Sequence, residues 1–136
     1  AAVVVTFILK LYRVALELAL AIFGGSAIVW FLKHFIDRAR PEGLMGEVHA
    51  RVHEVDNGYP SGHVMVITVI VLVLWPYLPN KWRWLTLLLI PMVGFSRVYL
   101  GVHMPLDVVG GFAAGLVVVG ALRILPYKLR TLMHLD

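Results

Sequence analysis

Arg97, His103 and Asp107 share one short stretch, Ser96 to Asp107, between two strongly apolar runs. His103 and Asp107 are four residues apart. If Pro105 opens a helix, their side chains lie on one face. A carboxylate there holds the imidazole in one tautomer and stabilises its charged form. The other ring nitrogen is then left to attack or to transfer a proton. Arg97, across a short turn, is placed to bind an anion. The same residues also read as a plain helix start, with Pro105 in the first turn, Asp107 facing the helix dipole and His103 at an interface.

Two further polar groups stand at the ends of apolar runs. Lys33 and Arg40 are seven apart, about two helical turns, so they are expected to project from one helical face before Pro41 stops the helix. Two cations snorkelling at an interface would look the same. The run Pro60-Ser61-Gly62-His63 opens another apolar segment. Ser61 is a natural N-cap, Gly62 lets a ligand approach the backbone, and a helix N-terminus offers free amides to an anion. A capped helix with an incidental histidine is the plainer alternative. Together these groups supply three cations, a helix N-terminus and two histidines, one beside a carboxylate. That inventory suits phosphoryl transfer without metal: cations and amides neutralise the non-bridging oxygens, one histidine attacks phosphorus, and the other protonates the leaving oxygen.

Composition says what must position them. The chain has 136 residues, enough for one domain, 1–136, and is 60% hydrophobic. Its mean hydropathy of +0.86 is that of a membrane protein rather than a soluble one. Four spans are expected: Val14 to Ile36, Val64 to Leu78, Trp84 to Val98 with a kink at Pro91, and Leu106 to Leu125. The fold class is therefore all-α, a polytopic transmembrane bundle. Gly24-Gly25-Ser26 and the set Gly110, Gly111 and Gly115 offer close helix contact. Ala1 to Leu11 is short and apolar, either the end of an earlier span or an interfacial piece. The net charge of +4 sits at the ends of apolar runs, without the aromatic-interleaved stripe of a nucleic-acid groove, so no nucleic-acid partner is expected. The absence of cysteine excludes disulfides and thiolate metal sites.

Alternating spans put the long polar connection, residues 37–62, on the same side as the Tyr99 to Pro105 turn. The Pro79 to Arg83 turn and both chain ends fall on the other side. That other side carries Lys10, Arg13, Lys81, Arg83, Arg123, Lys128 and Arg130. The positive-inside bias places it in the cytoplasm and the polar clusters outside.

At this point the chain resembles a known family. Lys33 to Pro41, Pro60-Ser61-Gly62-His63, and Ser96-Arg97 with His103 and Asp107 are similar to the three signature motifs of the type 2 phosphatidic acid phosphatase superfamily, complete and in order. That superfamily includes undecaprenyl-diphosphate, phosphatidylglycerophosphate and lipid phosphate phosphatases. The resemblance implies that His103 is the nucleophile, oriented by Asp107, and His63 the general acid. It implies that Lys33, Arg40, Arg97, Ser61 and the Gly62 amide bind phosphate, and that neither metal nor other cofactor is needed. It also implies a six-span core of which this chain carries the last four. The first two would be missing or reduced to the first run, and further spans would come from a longer parent chain or an oligomer.

The expected partners are membrane lipids and a lipid phosphate substrate, a polyprenyl diphosphate first, then phosphatidic acid or phosphatidylglycerophosphate. The expected location is the plasma (inner) membrane, with the site facing the extracytoplasmic side. A phosphotransferase of the same fold and a non-catalytic phosphate-binding module are the alternatives. His49 and His53, four apart and flanked by Glu47, Glu54 and Asp56, would hold a divalent metal if helical. Leu44 to Val55 also reads as an amphipathic helix on the membrane surface. Trp75, Tyr77, Trp82 and Trp84 read as an interfacial belt.

Overall fold

In the first apolar run the buried positions are Val14, Leu18, Ala21, Gly25, Val29 and Lys33, spaced three or four residues apart. That spacing is one face of an α-helix, and in the computed structural model the run forms α1, Tyr12–Ile36. The structure describes residues 12–44, 50–52 and 56–124. The expectations for Ala1 to Leu11, His49, His53, the tail beyond Ile124, and most of Leu44 to Val55 lie outside them. The described residues are all helical or irregular, without a strand: a single turn α2, Pro41–Leu44; α3, Gly62–Leu74, extended by a 3-10 turn at Trp75–Tyr77; α4, Asn80–Leu87; α5, Leu89–Tyr99; and α6, Pro105–Ile124.

α3 is the central element, packed against α1, α5 and α6. Its Met65 and Val69 meet Leu18 and Ala21 of α1 and Ala114 and Val118 of α6. Glycine sets the spacing. A Cβ at Gly115 would lie 2.7 Å from Thr68 Cβ, and one at Gly25 would strike Met65, so both α1 and α6 approach α3 closely. Gly24, beside it, has nothing within 4 Å and takes no part. Between helices surrounded by lipid, such contact gains dispersion energy rather than hydrophobic transfer. The outward face of α1 is itself apolar, with Phe23 and Phe35 each 78% exposed.

Among the described residues two segments, one containing α1 and the other α6, are long and apolar enough to cross a membrane. The other two expected spans differ from that length. α3 and its 3-10 turn end at Tyr77, and the third run divides at Leu88 into α4 and α5. The break falls at Leu88 rather than at Pro91 for a local reason. Pro91 has no N–H, and its ring crowds the carbonyl four residues back, that of Leu87. Leu88 N–H turns instead to the Leu85 carbonyl at 3.2 Å. Of the aromatic residues expected as a belt, Trp75 and Trp84 meet edge to face at 5.3 Å.

Candidate active site

The first helix ends at Ile36, and this corrects the relation expected between Lys33 and Arg40. Asp37 is left-handed, with φ 47°, and residues 37–40 leave the helix. The two cations therefore do not share a helical face. Asp tolerates this conformation because its short polar side chain bonds locally. Here Asn57 Nδ2 donates both to Asp37 Oδ1 and to the Lys33 carbonyl, each at 2.9 Å. Gly58 N–H donates to the Arg38 carbonyl at 2.8 Å. The segment before α3 is thus pinned to the end of α1, and Pro41, instead of only stopping a helix, opens α2.

Pinning that segment brings Lys33 and Arg40 together by another route. Lys33 Nζ reaches Asp56 Oδ2 at 2.8 Å, and Arg40 Nη2 pairs with Asp56 Oδ1. Arg40 Nε donates to the Asp56 carbonyl and Nη1 to the Val102 carbonyl, both at 2.7 Å. Each cation is only 10% exposed at its side chain, whereas Asp56 is 57% exposed. Partial burial pushes the Asp56 pKa up, but hydrogen bonds and charge from Lys33 and Arg40 outweigh this, so it lies below the ordinary carboxylate value. Two nearly buried cations thus face one oxyanion.

The starts of α3 and α6 are tied together. Ser61 N–H donates to the Asp107 carbonyl at 2.9 Å, and a Cβ at Gly111 would collide with the Ser61 carbonyl. Ser61 holds the expected N-cap position, but its side chain makes no cap bond. Among the described residues its fully buried Oγ has no hydrogen-bond partner. The backbone does the joining instead, between Asp107 and the Met65 N–H that reaches the Ser61 carbonyl at 3.1 Å.

Pro105 does open α6, and His103, just before it, faces Asp107: Nδ1 lies 3.5 Å from Oδ2. Both are nearly inaccessible, at 2% and 1% exposure. Met104 N–H donates to Asp107 Oδ2 at 2.7 Å, and Arg38 Nη1 donates to Oδ1 at 3.2 Å. Neither Arg38 nor Asp56 stands out in the sequence reading, where Arg38 lies unremarked inside the Lys33 to Pro41 stretch and Asp56 only flanks the histidine pair. The available signal is physical: a buried aspartate at a helix start needs a cation, and two neighbouring cations need an anion.

A cavity of about 800 Å³ opens between α1, α3 and α5. Its polar end holds Lys33, Asp56, Gly62, His63 and His103, and its remaining wall is chiefly apolar, including Val29, Trp30, Val66 and Ile70. From Gly62 to Ile70 the α3 wall runs about 12 Å at ~1.5 Å per residue. Four of the expected site residues, Lys33, Gly62, His63 and His103, line the cavity. Asp107 stands behind His103, and Arg40 reaches the rim through Asp56. Ser61 is buried behind the wall. Arg97, half-buried at the end of α5, is not part of the wall, and its carbonyl accepts Val102 N–H at 3.3 Å. The arrangement can receive an oxyanion between buried cations, beside one histidine backed by a carboxylate and a second at a helix start, with an apolar surface running away from it.

Residues 14–130 match the model of the PAP2 superfamily. Phosphatidylglycerophosphatase B of Bacillus subtilis (strain 168) is 38% identical over 110 residues, 73% of this chain and 52% of that protein. The putative undecaprenyl-diphosphatase YbjG of Escherichia coli (strain K12) is 33% identical over 108 residues, 77% of this chain and 51% of that protein. The crystal structure of a transmembrane PAP2-type phosphatidylglycerolphosphate phosphatase from Bacillus subtilis superposes with a TM-score of 0.64 at 32% identity, covering 80% of this chain and 57% of the other. The chain spans about half the length of the curated relatives it matches.

Proposed function

This chain belongs to the PAP2 superfamily, and from that premise we propose that it is a lipid phosphatase working through a phosphohistidine. It is an integral membrane protein, by its apolar helices and its membrane relatives. The observation that carries the reading is the cavity, which joins a polar end holding Lys33, His63 and His103 to an apolar wall along α1 and α3. A lipid phosphate matches that polarity, headgroup among the cations and tail along the wall.

On this reading Lys33 and Arg40 exchange Asp56 for the phosphate, helped by the Gly62 amide; Ser61 and Arg97, which lie outside the cavity wall, would have to turn toward it to join them. Asp107 fixes the His103 tautomer through Nδ1 and leaves Nε2 to attack phosphorus. As the N–P bond forms, the bond from phosphorus to the leaving oxygen breaks, and His63 gives that oxygen a proton. Water then attacks phosphorus while His63 takes its proton; as the new O–P bond forms, the N–P bond breaks, its electron pair returns to His103 Nε2, and phosphate leaves. These steps use only side chains and amides of the chain. A polyprenyl diphosphate is the favoured substrate, followed by phosphatidylglycerophosphate or phosphatidic acid; the names of the relatives support the first two. In the membrane the chain would cross four times, as part of a six-span core, with α3 and the divided α4–α5 as the shorter pair. The cavity would open on the extracytoplasmic side of the inner membrane. Cysteine placed at Asn80 should then label from the cytoplasm only.

The decisive test is phosphate release in detergent with EDTA from those three lipids, with His103→Ala as blank. Release by the wild type at least ~10³-fold above the blank is expected for loss of a nucleophile. Turnover retained in His103→Ala would remove the assignment. Vanadate should inhibit by imitating pentacoordinate phosphorus.

A further inference from the structure

Asp107 is 1% exposed, and a buried carboxylate is costly unless its charge and both oxygens are satisfied. Its two oxygens are divided. Oδ2 accepts Met104 N–H at 2.7 Å and faces His103 Nδ1 at 3.5 Å, while Oδ1 accepts Arg38 Nη1 at 3.2 Å. Arg38 arrives from the far side, off the segment after α1. Its other arm rests on Met104 Sδ at 3.2 Å, and its carbonyl is held by Gly58 N–H. It is not part of the cavity wall, unlike Lys33. Among the cations at this end of the bundle, Arg38 is the one committed to the carboxylate behind His103 rather than to the space in front of it.

We infer that Arg38 is a positioning residue for His103, acting through Asp107: it fixes the carboxylate plane so that Oδ2 faces Nδ1, and its charge limits how strongly Asp107 holds a proton on the ring. The inference rests on the reading of His103 as the reacting group, though its first test does not need turnover. A nucleophilic imidazole must be unprotonated at the attacking nitrogen. An Asp107 without its counter-charge would favour the imidazolium and idle the nucleophile near neutral pH. The other charged or titratable groups that face the cavity with His103 are Lys33 from α1, Asp56 before α3 and His63 on α3; Arg40 reaches the Val102 carbonyl next to it, and Arg97, at the end of α5, accepts Val102 N–H through its carbonyl.

The test follows the His103 ring by NMR in histidine-labelled full chain, assigned with His103→Ala, in wild type, Arg38→Gln, Arg38→Lys, Asp107→Asn and Arg38→Gln/Asp107→Asn. In Arg38→Gln the His103 titration midpoint should rise by about one pH unit, the size expected when a neighbouring cation is lost. Arg38→Lys should restore most of the difference, and with Asp107→Asn in place the Arg38 change should move the midpoint little. In turnover, Arg38→Gln should lower kcat ~10-fold or more, with KM changed less than ~3-fold. An unmoved midpoint, an equal shift with and without Asp107, or a loss confined to KM would each overturn the inference. If Arg38→Gln does not fold, Arg38→Met with and without Asp107→Asn, which also removes the charge, gives the same comparison. An inactive wild type would count against the phosphatase reading alone, because the ring titration still reports on Arg38.

Discussion

Two aspartates in this protein are each clasped by arginine, and they are built to opposite ends. Asp107 is 1% exposed, bonded by a backbone amide and Arg38, and set in the first turn of α6 where the helix dipole also favours its charge. Asp56 is 57% exposed, while the two cations that hold it are only 10% exposed. A buried, fully bonded anion cannot leave without stranding its partners. An exposed anion on buried cations can be exchanged for another, because water takes it back at little cost while the cations keep demanding a charge. Burial, more than the number of ion pairs, separates the two: on the proposed reading Asp107 belongs to the machinery and Asp56 keeps the place of the phosphate.

The largest effect should come from the buried side. Asp107→Asn keeps shape but removes the charge that backs His103, and kcat should fall by ~10² to 10⁴-fold, the range for losing a positioned acid–base partner. Equal activity in Asp107→Asn would dissolve the contrast. Next comes the junction that holds Asp107 in place. Gly111→Ala puts a methyl group into the Ser61 carbonyl. It should cost about 1–3 kcal/mol, as overpacking does, read as a lower melting temperature in detergent, with Lys33 and Arg40 still able to bind vanadate. An unchanged melting temperature would mean that α3 and α6 part there without penalty. A smaller effect of opposite sign is expected on the exposed side. Asp56→Asn leaves Lys33 and Arg40 without their anion, and vanadate should bind ~3- to 10-fold tighter, one lost competitor being worth about a kcal/mol. Weaker binding would show that Asp56 organises the cations rather than occupying them.

What the sequence disclosed and what it withheld divide along the same line. Local spacing made His103 and Asp107 neighbours, opened α6 at Pro105, and put Gly62 and His63 at a helix start; all of that is legible because helix geometry is local. The class of the fold was legible from hydropathy, and membership of the family from three motifs. The end of α1 was not. Its stop depends on Asp37 entering a left-handed conformation held by Asn57, a contact between segments that periodicity does not encode. Arg38 bonds Asp107 across 69 positions and Asp56 meets Arg40 across 16, so neither pair has a spacing to notice. The break at Leu88 was half legible: Pro91 announced it, but its consequence falls one turn earlier. Ser61 shows the reverse case, a residue type right for a cap whose backbone is already committed to Asp107 and Met65.

The smallest effect expected is one of pH, and its sign follows from the Asp56 pKa. Lys33 and Arg40 hold it below the ordinary carboxylate value of 3.8, despite the opposing effect of burial. A group whose folded pKa is depressed contributes stability that is fully present above its unfolded value and is lost as pH falls through the folded value. The anchoring of the segment before α3 should therefore stay constant between pH 5 and 8 and loosen only at pH below about 4. Hydrogen exchange at the Gly58 amide, which donates to the Arg38 carbonyl, reports that anchoring directly. Asp56→Asn should show the looser exchange at every pH, and the two proteins should converge in acid. Convergence already near pH 6 would mean that Asp56 is not held as an anion by the two cations, and the exposed half of the comparison would fail.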